Sequence, residues 1–550
     1  MADMIGSEIL ARALKLAGVE DIFYLMGGPM LAAEKACENE DIRMIDVRHE
    51  QAAAMMANAY ARLRNRPGIC MAASGPGVIN LTTGMANALV DGAPVVAFGG
   101  SSPVSAYGRQ AFQEIDQLAI LEPCVKHAFR VYSPERIPEL VNDALQTAVA
   151  GKPGPVYVDL PGDVLYKPVD ADTIDWGFAE RPLQRPRPAG APADVARLAD
   201  ALMAAERPVI VSGTGVLWSE AWPELRQLVD TLGIPFYTTP QGRGVIPEDH
   251  PCCYPSARSM AFREADLILV VGTRLNYVVN HLAPPRFAAD ATVARIDIDA
   301  SEIATSPRRL DIGIVGDAKT VLTALNAALE GRGNTERSTP WRQKLAARVE
   351  EKRGQPGDNS RSDAQPIHPL RLCQEVTDFM NRDAVLVVDG QEILNYGRQA
   401  MPTHTPGHRM NSGPFGTMGV GLPLGLGAKV AKPDTQVIVV HGDGSFGLNA
   451  MELDTAVRHN IPVLVVISLN GGWTAADPPG KPGRNLGFTR YDQMAEALGC
   501  YSDYVEDPKD LGGALRRAQD AVDSGRVAVV NVKTDETARA TTQAFTQYVT

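Results

Sequence analysis

The stretch 437–446 (Val-Ile-Val-Val-His-Gly-Asp-Gly-Ser-Phe) is the feature that most constrains the fold. A β-branched run that ends in Gly-Asp-Gly is typical of a buried parallel strand breaking into a tight turn. In such a turn, backbone N–H groups can approach an anion, and Asp443 can offer a hard oxygen to a cation. The stretch therefore predicts a site for a diphosphate and Mg²⁺.

A second polar group follows at 469–473 (Leu-Asn-Gly-Gly-Trp). The intervening residues suffice for one helix, predicted over 449–459, and one apolar strand, predicted over 463–469. Neighbouring parallel strands bring their carboxyl ends to the same edge of a sheet. The spacing therefore predicts that Asn470 lies beside Asp443, where both can bind one cation.

Length and composition indicate a multidomain globular protein. A chain of 550 residues exceeds what one core supports, and 45% hydrophobic with 21% charged residues is ordinary for globular proteins. A net charge of −12 without a basic stripe argues against nucleic acid and anionic membranes as partners. Seven scattered cysteines without a C-x-x-C pair indicate reduced thiols. The start of the chain has no secretory pattern, so we expect a cytoplasmic protein.

Alternating helical and apolar strand patterns predict α/β architecture, with three doubly wound parallel-sheet domains. We predict an N-terminal domain over 1–180, a central Rossmann-like domain over 190–330, and a C-terminal domain over 369–550, with a linker over 331–368. The first and third domains look like repeats of one architecture. In such sheets, ligands bind outside the carboxyl ends of the strands.

Several polar or glycine-containing segments of the first domain follow predicted strands or lie in a polar loop. They are Gly27-Gly28-Pro29, Arg48-His49-Glu50, Gly75-Pro76-Gly77 with Asn80, and Phe112-Gln113-Glu114. Glu50 lies where a strand meets a helix start, and it could stabilise the helix dipole or face a ligand crevice. Gly-Pro-Gly is more often a turn than a binding site.

In the central domain, the turn Ser212-Gly213-Thr214-Gly215 follows a predicted strand, and a later strand ends at Asp297. Turn glycines and a terminal acid can hold the adenosine diphosphate part of a ligand. These glycines lack the full dinucleotide fingerprint, so a structural turn is at least as compatible with them as a nucleotide contact.

Four blocks together resemble the thiamine diphosphate enzymes of the acetolactate synthase and decarboxylase superfamily. They are 48–50, 74–80, 112–114, and 442–444 with 470–472. They occur in the order seen in the superfamily, and the resemblance covers essentially the whole chain. It implies thiamine diphosphate and Mg²⁺ as cofactors, held between the first and third domains of different chains. The minimal unit would then be a homodimer, and family members are often tetramers.

The resemblance implies a ligand set for the metal and the diphosphate. Asp443, the Asn470 side chain and the Gly472 carbonyl would bind Mg²⁺, with the Gly444 and Ser445 amides on the diphosphate. Many relatives have two asparagines where this chain has Asn-Gly. The first of them is the usual ligand, so we expect the metal site to be retained.

The resemblance also assigns Glu50 a catalytic role, in which it hydrogen-bonds the pyrimidine of the cofactor. Gly416 would accept a hydrogen bond from the cofactor, and Met418 would impose its bent shape, although a methionine in an apolar run is ordinarily core. The other residues predicted to contact the cofactor are Gly28, Pro76, Asn80, Gln391, Glu392, Gly442 and Trp473.

Segments that differ among members favour acyl-CoA chemistry. Residues 109–116 lack the histidine pair of pyruvate decarboxylases, and those after Asn470 do not resemble acetolactate synthases. Residues 272–277 and 409–419 instead resemble segments of 2-hydroxyacyl-CoA lyases and oxalyl-CoA decarboxylases, and 538–545 is faintly similar to the lyase tail. We therefore expect reversible cleavage of a 2-hydroxyacyl-CoA to formyl-CoA and an aldehyde or ketone.

Arg274 and Arg409 are the predicted contacts for CoA or ADP phosphates, although each could equally be a surface charge or part of an ion pair. The other predicted substrate contacts are Phe112, Gly213, Gly215, Asn276 and Asp297. Gln113 would border the thioester, and Asp477 would transfer a proton or simply start a turn before two prolines.

Four alternative functions stay open. They are an oxalyl-CoA decarboxylase, an acetolactate synthase-like carboligase, a flavin-containing oxidase and a non-catalytic nucleotide-binding homologue.

Overall fold

The computed structural model describes residues 3–332, 336–353, 359–473 and 482–540. The chain divides into two compact units. One comprises Met1–Arg185, Ser360–Met401 and Met410–Thr550, and the other comprises Pro186–Asn359 and Pro402–Arg409. The first unit therefore joins the N-terminal and C-terminal domains, and the second holds the central domain. Each domain has its own parallel sheet, which confirms the predicted fold class.

The N-terminal domain alternates strands and helices. Its strands are β1 (Asp3–Ile5), β2 (Asp21–Leu25), β3 (Arg43–Asp46), β4 (Gly68–Ala72), β5 (Val95–Ser101), β6 (His127–Arg130), β7 (Val156–Pro161) and β8 (Pro168–Asp170). Its α-helices are α1 (Gly6–Leu16), α2 (Leu31–Asn39), α3 (Glu50–Arg64), α4 (Pro76–Asn80), α5 (Thr82–Asp91), α6 (Gln117–Leu121), α7 (Ile137–Val149) and α8 (Gly162–Tyr166). The parallel sheet has the order β3-β2-β4-β5-β7-β6, and β1 pairs antiparallel with β8. Strands β4 and β5 are buried throughout, as parallel strands covered on both faces must be.

The central domain is a second doubly wound sheet. Its strands are β9 (Pro208–Ser212), β10 (Phe236–Thr238), β11 (Leu267–Val271), β12 (Thr292–Asp297) and β13 (Ile312–Val315). Its α-helices are α9 (Pro192–Ala204), α10 (Thr214–Trp218), α11 (Trp222–Leu232), α12 (Arg258–Glu264), α13 (Ala300–Ala304), α14 (Ala318–Ala328) and α15 (Thr339–Lys352). All strands are parallel, in the order β10-β9-β11-β12-β13.

Helix α15 lies inside the segment 331–368 that the sequence predicts to be a linker. Trp341 and Leu345 of this helix are buried in the core of the central domain, and Trp341 Nε1 donates to the Pro208 carbonyl at 3.3 Å. The central domain thus extends to Lys352. Two apolar residues four apart place the helix on the core, although the surrounding sequence is highly charged.

The C-terminal domain carries the third sheet. Its strands are β14 (Val385–Asp389), β15 (Arg409–Asn411), β16 (Val437–Gly442), β17 (Leu464–Leu469), β18 (Tyr501–Val505) and β19 (Ala528–Lys533). Its α-helices are α16 (Pro369–Phe379), α17 (Glu392–Ala400), α18 (Gly421–Ala431), α19 (Asp443–Asn449), α20 (Glu452–Arg458), α21 (Tyr491–Ala497) and α22 (Leu511–Asp523). The order is β15-β14-β16-β17-β19-β18. The single helix predicted over 449–459 is wrong, because one helix starts at Asp443 itself and a second starts at Glu452.

The N-terminal and C-terminal sheets share one topology. We number the six strands of each sheet in chain order, β2 to β7 in the N-terminal sheet and β14 to β19 in the C-terminal sheet. From edge to edge, both sheets then have the order second, first, third, fourth, sixth, fifth. The two domains are therefore structural repeats, as the sequence predicts. In both of them, the carboxyl ends of the first three strands lie together at one edge.

The two repeats meet through α3 and α18, the helices that follow the second strand of each. Helix α3 is rich in alanine and is buried along most of its length. A Cβ on Gly427 of α18 would lie only 2.2 Å from the Met56 carbonyl oxygen of α3. A glycine is therefore required for the two backbones to come this close. This packing fixes α3, whose first residue is Glu50.

Two simpler expectations concern the cysteines and the membrane. All seven cysteines are free, as predicted, and burial raises the pKa of the Cys37 thiol to about 12. Among the described residues, no helix is long and apolar enough to cross a membrane.

Candidate active site

The first half of the candidate site lies at the carboxyl edge of the N-terminal sheet. Glu50 begins α3 and is 7% exposed. Its Oε2 accepts a hydrogen bond from Asn80 Nδ2 at 3.0 Å, and a Cβ on Gly77 would lie 3.3 Å from its Oε1. The ring of His49 caps the helix by accepting from the Gln51 N–H. The predicted residues Glu50 and Asn80 thus form one hydrogen-bonded pair.

Ser74 joins two other predicted segments at this edge. Its Oγ lies 3.1 Å from the Gly28 carbonyl oxygen and 2.7 Å from Gln113 Oε1. The one hydroxyl hydrogen can be donated to either acceptor. The turn after β2 and the loop that carries Gln113 are therefore brought together, as expected for residues of one site.

Gln113 adopts a strained backbone conformation. Its φ is +58°, which costs a non-glycine residue about 1 kcal/mol. The loop is held in place by Glu114, whose carboxylate accepts the N–H groups of Gly108 and Ala111. Phe112 beside it is 85% exposed. Strain kept in a polar loop next to an exposed aromatic ring is typical of a binding segment.

Gln117 lies at the same edge and fixes one of the predicted segments, although the sequence did not single it out. This buried side chain donates to the Gly100 carbonyl at 2.8 Å and to Asp159 Oδ1 at 2.6 Å. Its Oε1 accepts from the Gly75 N–H at 3.0 Å. Gln117 thereby fixes the turn in which Pro76 starts α4. A glutamine at a helix start is too common in sequences to reveal this role.

The second half of the site lies at the carboxyl edge of the C-terminal sheet. Asp443 begins α19 and is 3% exposed. Its Oδ1 accepts from the Gly444 N–H and its Oδ2 from the Gly471 N–H, each at 2.8 Å. Asn470 Oδ1 accepts from the Gly472 N–H at 3.3 Å. Because β16 and β17 are neighbours, Asp443 and Asn470 lie together, as the spacing predicts.

The electrostatics of this half fit a divalent cation. Burial raises the pKa of Asp443 to about 6, and the backbone N–H groups around the carboxylate only partly offset that effect. Among the described residues, no group of three or more His, Cys, Asp or Glu side chains is arranged so that it could hold a metal ion. A metal would therefore depend on Asp443, on neutral oxygens from Asn470 and Gly472, and on oxygens of the diphosphate, a donor set that Mg²⁺ accepts.

Gly444 contacts both Asp443 and Trp473. Its amide donates to Asp443 Oδ1, so in this structure it helps to orient the carboxylate. A Cβ on Gly444 would lie 2.8 Å from the ring of Trp473. The indole therefore packs directly on the start of α19. The backbone N–H of Trp473 donates to the Arg484 carbonyl at 2.9 Å, which holds this loop in place.

Ser445 is oriented by a buried histidine that the sequence did not single out. His441 Nδ1 lies 3.2 Å from Ser445 Oγ and 3.7 Å from Asp389 Oδ2. Burial lowers the pKa of His441 to about 3 and raises that of Asp389 to about 6. The imidazole is therefore neutral at physiological pH. Ser445 Oγ also lies 3.0 Å from the Gly442 carbonyl oxygen.

The remaining predicted cofactor residues lie in loops at this edge or next to it. Gln391 and Glu392 start α17, and Glu392 Oε2 accepts from the Ala540 N–H at 3.0 Å. The C-terminal segment thus reaches a predicted contact of the cofactor. Gly416, with φ +74°, and the half-buried Met418 lie between β15 and α18. Asp477 lies outside the described residues.

The glycines of the central domain have a structural explanation. Strands β9 and β11 are neighbours, and their turns pack backbone against backbone. A Cβ on Gly213 would lie 2.6 Å from the Gly272 carbonyl oxygen, and one on Gly215 would lie 2.6 Å from Gly272 Cα. Both glycines are therefore required for the approach of the two turns. This point is also where the strand order reverses, the usual ligand crevice of such a sheet.

The polar residues predicted to bind CoA or ADP differ in their exposure and in their partners within the protein. Asp297 lies 3.0 Å from Arg295 Nη2 and is buried with it. Asn276 Oδ1 accepts from the Val278 N–H at 3.0 Å. Arg409 is fully buried in β15, which gives no support to a phosphate contact, whereas Arg274 follows β11 and is partly exposed.

Comparison with known proteins decides the family. Three family models match: the N-terminal TPP binding domain of thiamine pyrophosphate enzymes at 4–120, the central domain at 195–325, and the C-terminal TPP binding domain at 394–532. The chain belongs to the thiamine pyrophosphate enzyme family. Thiamine pyrophosphate is thiamine diphosphate, and the first and last models cover the two edges described above.

Relatives within the family have different names. Over 545 residues, the chain is 36% identical to the acetolactate synthase large subunit IlvG of Mycobacterium tuberculosis, covering 97% of this chain and 96% of the relative. It is 33% identical over 561 residues to a 2-hydroxyacyl-CoA lyase of Oryza sativa, with coverage of 97% and 96%. It is 31% identical over 548 residues to the oxalyl-CoA decarboxylase of Escherichia coli, with coverage of 97% and 95%.

Proposed function

We propose that the protein is a lyase that uses thiamine diphosphate and Mg²⁺ to cleave a 2-hydroxyacyl-CoA to formyl-CoA and an aldehyde or ketone, and that also runs the reverse carboligation. The observation that carries the acyl-CoA assignment is the resemblance of 272–277 and 409–419 to lyase and decarboxylase segments. Full-length identity of 33% to a 2-hydroxyacyl-CoA lyase supports it.

The carboxyl edges of the N-terminal and C-terminal sheets would have different roles in this reaction. When bound, thiamine diphosphate would supply a carbanion that adds to a carbonyl, and its positively charged thiazolium ring would accept the electrons of the broken C–C bond. Asp443, Asn470 and the Gly472 carbonyl would hold the Mg²⁺ that binds the diphosphate. Glu50 would share a proton with a pyrimidine nitrogen. The hydrogen bond from Asn80 keeps the Glu50 carboxylate in one orientation for that transfer.

We further propose that each site is completed by a second copy of the chain. Gln51 Nε2 donates to Asn449 Oδ1 at 2.9 Å, so the start of α3 lies at the C-terminal end of α19. Asp443 lies at the opposite end of that helix. Exposed apolar residues flank both edges: Met26, Leu31, Phe112, Ile115, Phe415, Leu448, Met451, Leu486 and Phe488. Apolar surface of this kind favours coverage by a partner, and a homodimer would pair the two edges.

The substrate would approach past the loop that carries Gln113. The exposed ring of Phe112 could pack on the acyl part, and Gln113 would border the thioester. Arg274 is the cation that we assign to the phosphates of CoA. We assign proton transfer to the substrate hydroxyl to Asp477.

Direct assay decides between the candidate reactions. Purified protein with thiamine diphosphate, Mg²⁺, formyl-CoA and either formaldehyde or acetone should form a 2-hydroxyacyl-CoA that mass spectrometry detects. Arg274→Met should raise the KM for the acyl-CoA and leave the cofactor affinity unchanged. No acyl-CoA product, together with turnover of pyruvate, would contradict the proposal.

An acetolactate synthase-like activity is the second candidate. It is favoured by the 36% identity to an acetolactate synthase large subunit over 545 residues. Formation of acetolactate from pyruvate by the same preparation would select it. Release of CO₂ from oxalyl-CoA would instead select the decarboxylase.

A further inference from the structure

Glu452 is a buried carboxylate of the C-terminal domain that contacts the N-terminal domain of the same chain. It begins α20 and is 1% exposed. Its Oε1 lies 3.2 Å from the Arg48 nitrogen and 3.1 Å from the His49 nitrogen, and its Oε2 lies 3.2 Å from the Arg48 nitrogen. One carboxylate therefore accepts the two backbone N–H groups that immediately precede Glu50.

Other groups hold the Glu452 side chain in this orientation. Thr455 Oγ1 donates to Glu452 Oε2 at 2.7 Å, one turn along the same helix. Burial raises the pKa of Glu452 to about 7, while the hydrogen bonds from Thr455, Arg48 and His49 favour the charged form. Both oxygens are engaged, so the carboxylate has little freedom to move.

The backbone is held on the other side of Glu50 as well. Gln51 Nε2 donates to Asn449 Oδ1, and Asn449 Nδ2 donates to the Gly419 carbonyl at 2.7 Å. Two side chains of the C-terminal domain therefore bind this segment: Glu452 binds residues 48 and 49, and Asn449 binds residue 51. Between these contacts, only the Glu50 side chain turns to Asn80.

We infer that Glu452 is a positioning residue for Glu50: it fixes the backbone from which the Glu50 carboxylate is presented to the cofactor. The inference rests on the proposed role of Glu50. A helix start leaves N–H groups without intrahelical partners, and a start without a fixed acceptor frays. Displacement of a reacting group by about 1 Å can cost a factor of about 100 in rate.

Glu452→Gln tests the inference. The amide has the same size but carries one acceptor oxygen, and its NH₂ group would face a backbone N–H. We expect kcat to fall by about 10- to 100-fold, while KM and the affinity for thiamine diphosphate change by less than about threefold. Hydrogen exchange at the amides of residues 48 and 49, measured by mass spectrometry without cofactor, should become faster.

Two further variants separate positioning from general destabilisation. Thr455→Val removes only the hydroxyl that holds Glu452 and should move kcat and exchange in the same direction by a smaller factor. Asp266→Asn changes a carboxylate of the central domain that likewise accepts two backbone N–H groups, those of Glu206 and Arg207. It should leave kcat unchanged. A loss of kcat in Asp266→Asn equal to that in Glu452→Gln would overturn the inference.

The readouts distinguish failure of the inference from failure of the proposed function. Unchanged exchange at residues 48 and 49, or faster exchange with wild-type kcat, would overturn the role of Glu452 while Glu50→Gln still abolishes turnover. If the wild-type protein shows no thiamine diphosphate-dependent turnover of acyl-CoA or 2-oxoacid substrates, the proposed function falls, and the inference falls with it.

Discussion

The N-terminal and C-terminal domains have the same strand order but different chemistry at the same edge. In the N-terminal repeat, the edge presents one carboxylate, Glu50, held by the side-chain amide of Asn80. In the C-terminal repeat, it presents Asp443, held by two backbone N–H groups, with the Asn470 oxygen beside it. Topology thus determines where a ligand can bind. In the proposed function, the turn residues would decide the chemistry: Glu50 would share a proton with the pyrimidine, and Asp443 would bind the metal that holds the diphosphate.

A second pair of equivalent positions sharpens the comparison. The helices that follow the third strand end in Asn80 in one repeat and in Asn449 in the other. Each asparagine donates to the segment that starts the helix after the second strand. Asn80 donates to the Glu50 carboxylate, whereas Asn449 donates to the Gly419 carbonyl. The same contact holds the Glu50 carboxylate in one repeat and a turn in the other.

The largest effect is expected in the C-terminal repeat. Asp443→Ala removes the only charged group assigned to the Mg²⁺ site, so metal-dependent binding of thiamine diphosphate and activity should fall by more than about 10³-fold. Titration of tryptophan fluorescence measures the binding, because Trp473 packs on the start of α19. Asp299→Ala, at the N-terminal cap of α13 in the central domain, is the control. Retained Mg²⁺-dependent binding in Asp443→Ala would break the assignment.

In the N-terminal repeat, the effect should fall on kcat and spare cofactor binding. Glu50→Gln keeps an acceptor for Asn80 but cannot share a proton, so kcat should fall by about 10²- to 10⁴-fold. The affinity for thiamine diphosphate should change only severalfold. Asn80→Ala should have a smaller effect in the same direction. Normal turnover in Glu50→Gln would refute its role.

The next effect is on stability, and it tests the close packing of α3 against α18. Gly427→Ala places a Cβ where it would lie 2.2 Å from a backbone oxygen of α3, so the free energy of unfolding should fall by about 1–3 kcal/mol. Gly513→Ala, on a helix where the nearest atom is the end of an arginine side chain, is the matched control. It should be neutral or stabilising by up to about 1 kcal/mol. Equal denaturant midpoints for the two variants would contradict the close approach.

The sequence predicts much of this comparison because its signals are local. The β-branched runs place the strands, and the turn residues Gly28, Glu50 and Asp443 mark the carboxyl edges correctly. Glu452, Gln117 and the Asp389–His441 pair could not be found, because their partners are remote in sequence and one buried polar residue gives no periodic signal. Helix α15 could not be found either, since its two core residues stand in a charged segment.

The smallest effect is a pH dependence within the N-terminal repeat. Burial raises the pKa of Glu34, on the helix after the Gly27 turn, to about 7, from about 4.3 in an unfolded chain. The folded state then binds more protons in that window, so stability falls as pH rises through it. Glu34→Gln cannot ionise, so its stability does not fall with pH for this reason. Its free energy of unfolding relative to wild type should therefore rise between about pH 5 and about pH 8.

Thermal or denaturant unfolding at several pH values measures this difference. Glu122→Gln, an exposed carboxylate of the same domain that is not among the charges acting on Glu34, is the matched control. A constant difference between Glu34→Gln and wild type across the pH range would contradict the buried carboxyl.

The most direct test of the central claim asks whether Glu50 of one chain serves Asp443 of another. Glu50→Gln and Asp443→Ala subunits with different tags can be co-expressed, and the mixed dimer purified. Each parent dimer should be inactive. The mixed dimer contains one site with both native residues, so we predict about half of the wild-type specific activity. A mixed dimer as inactive as its parents would contradict a site shared between two chains.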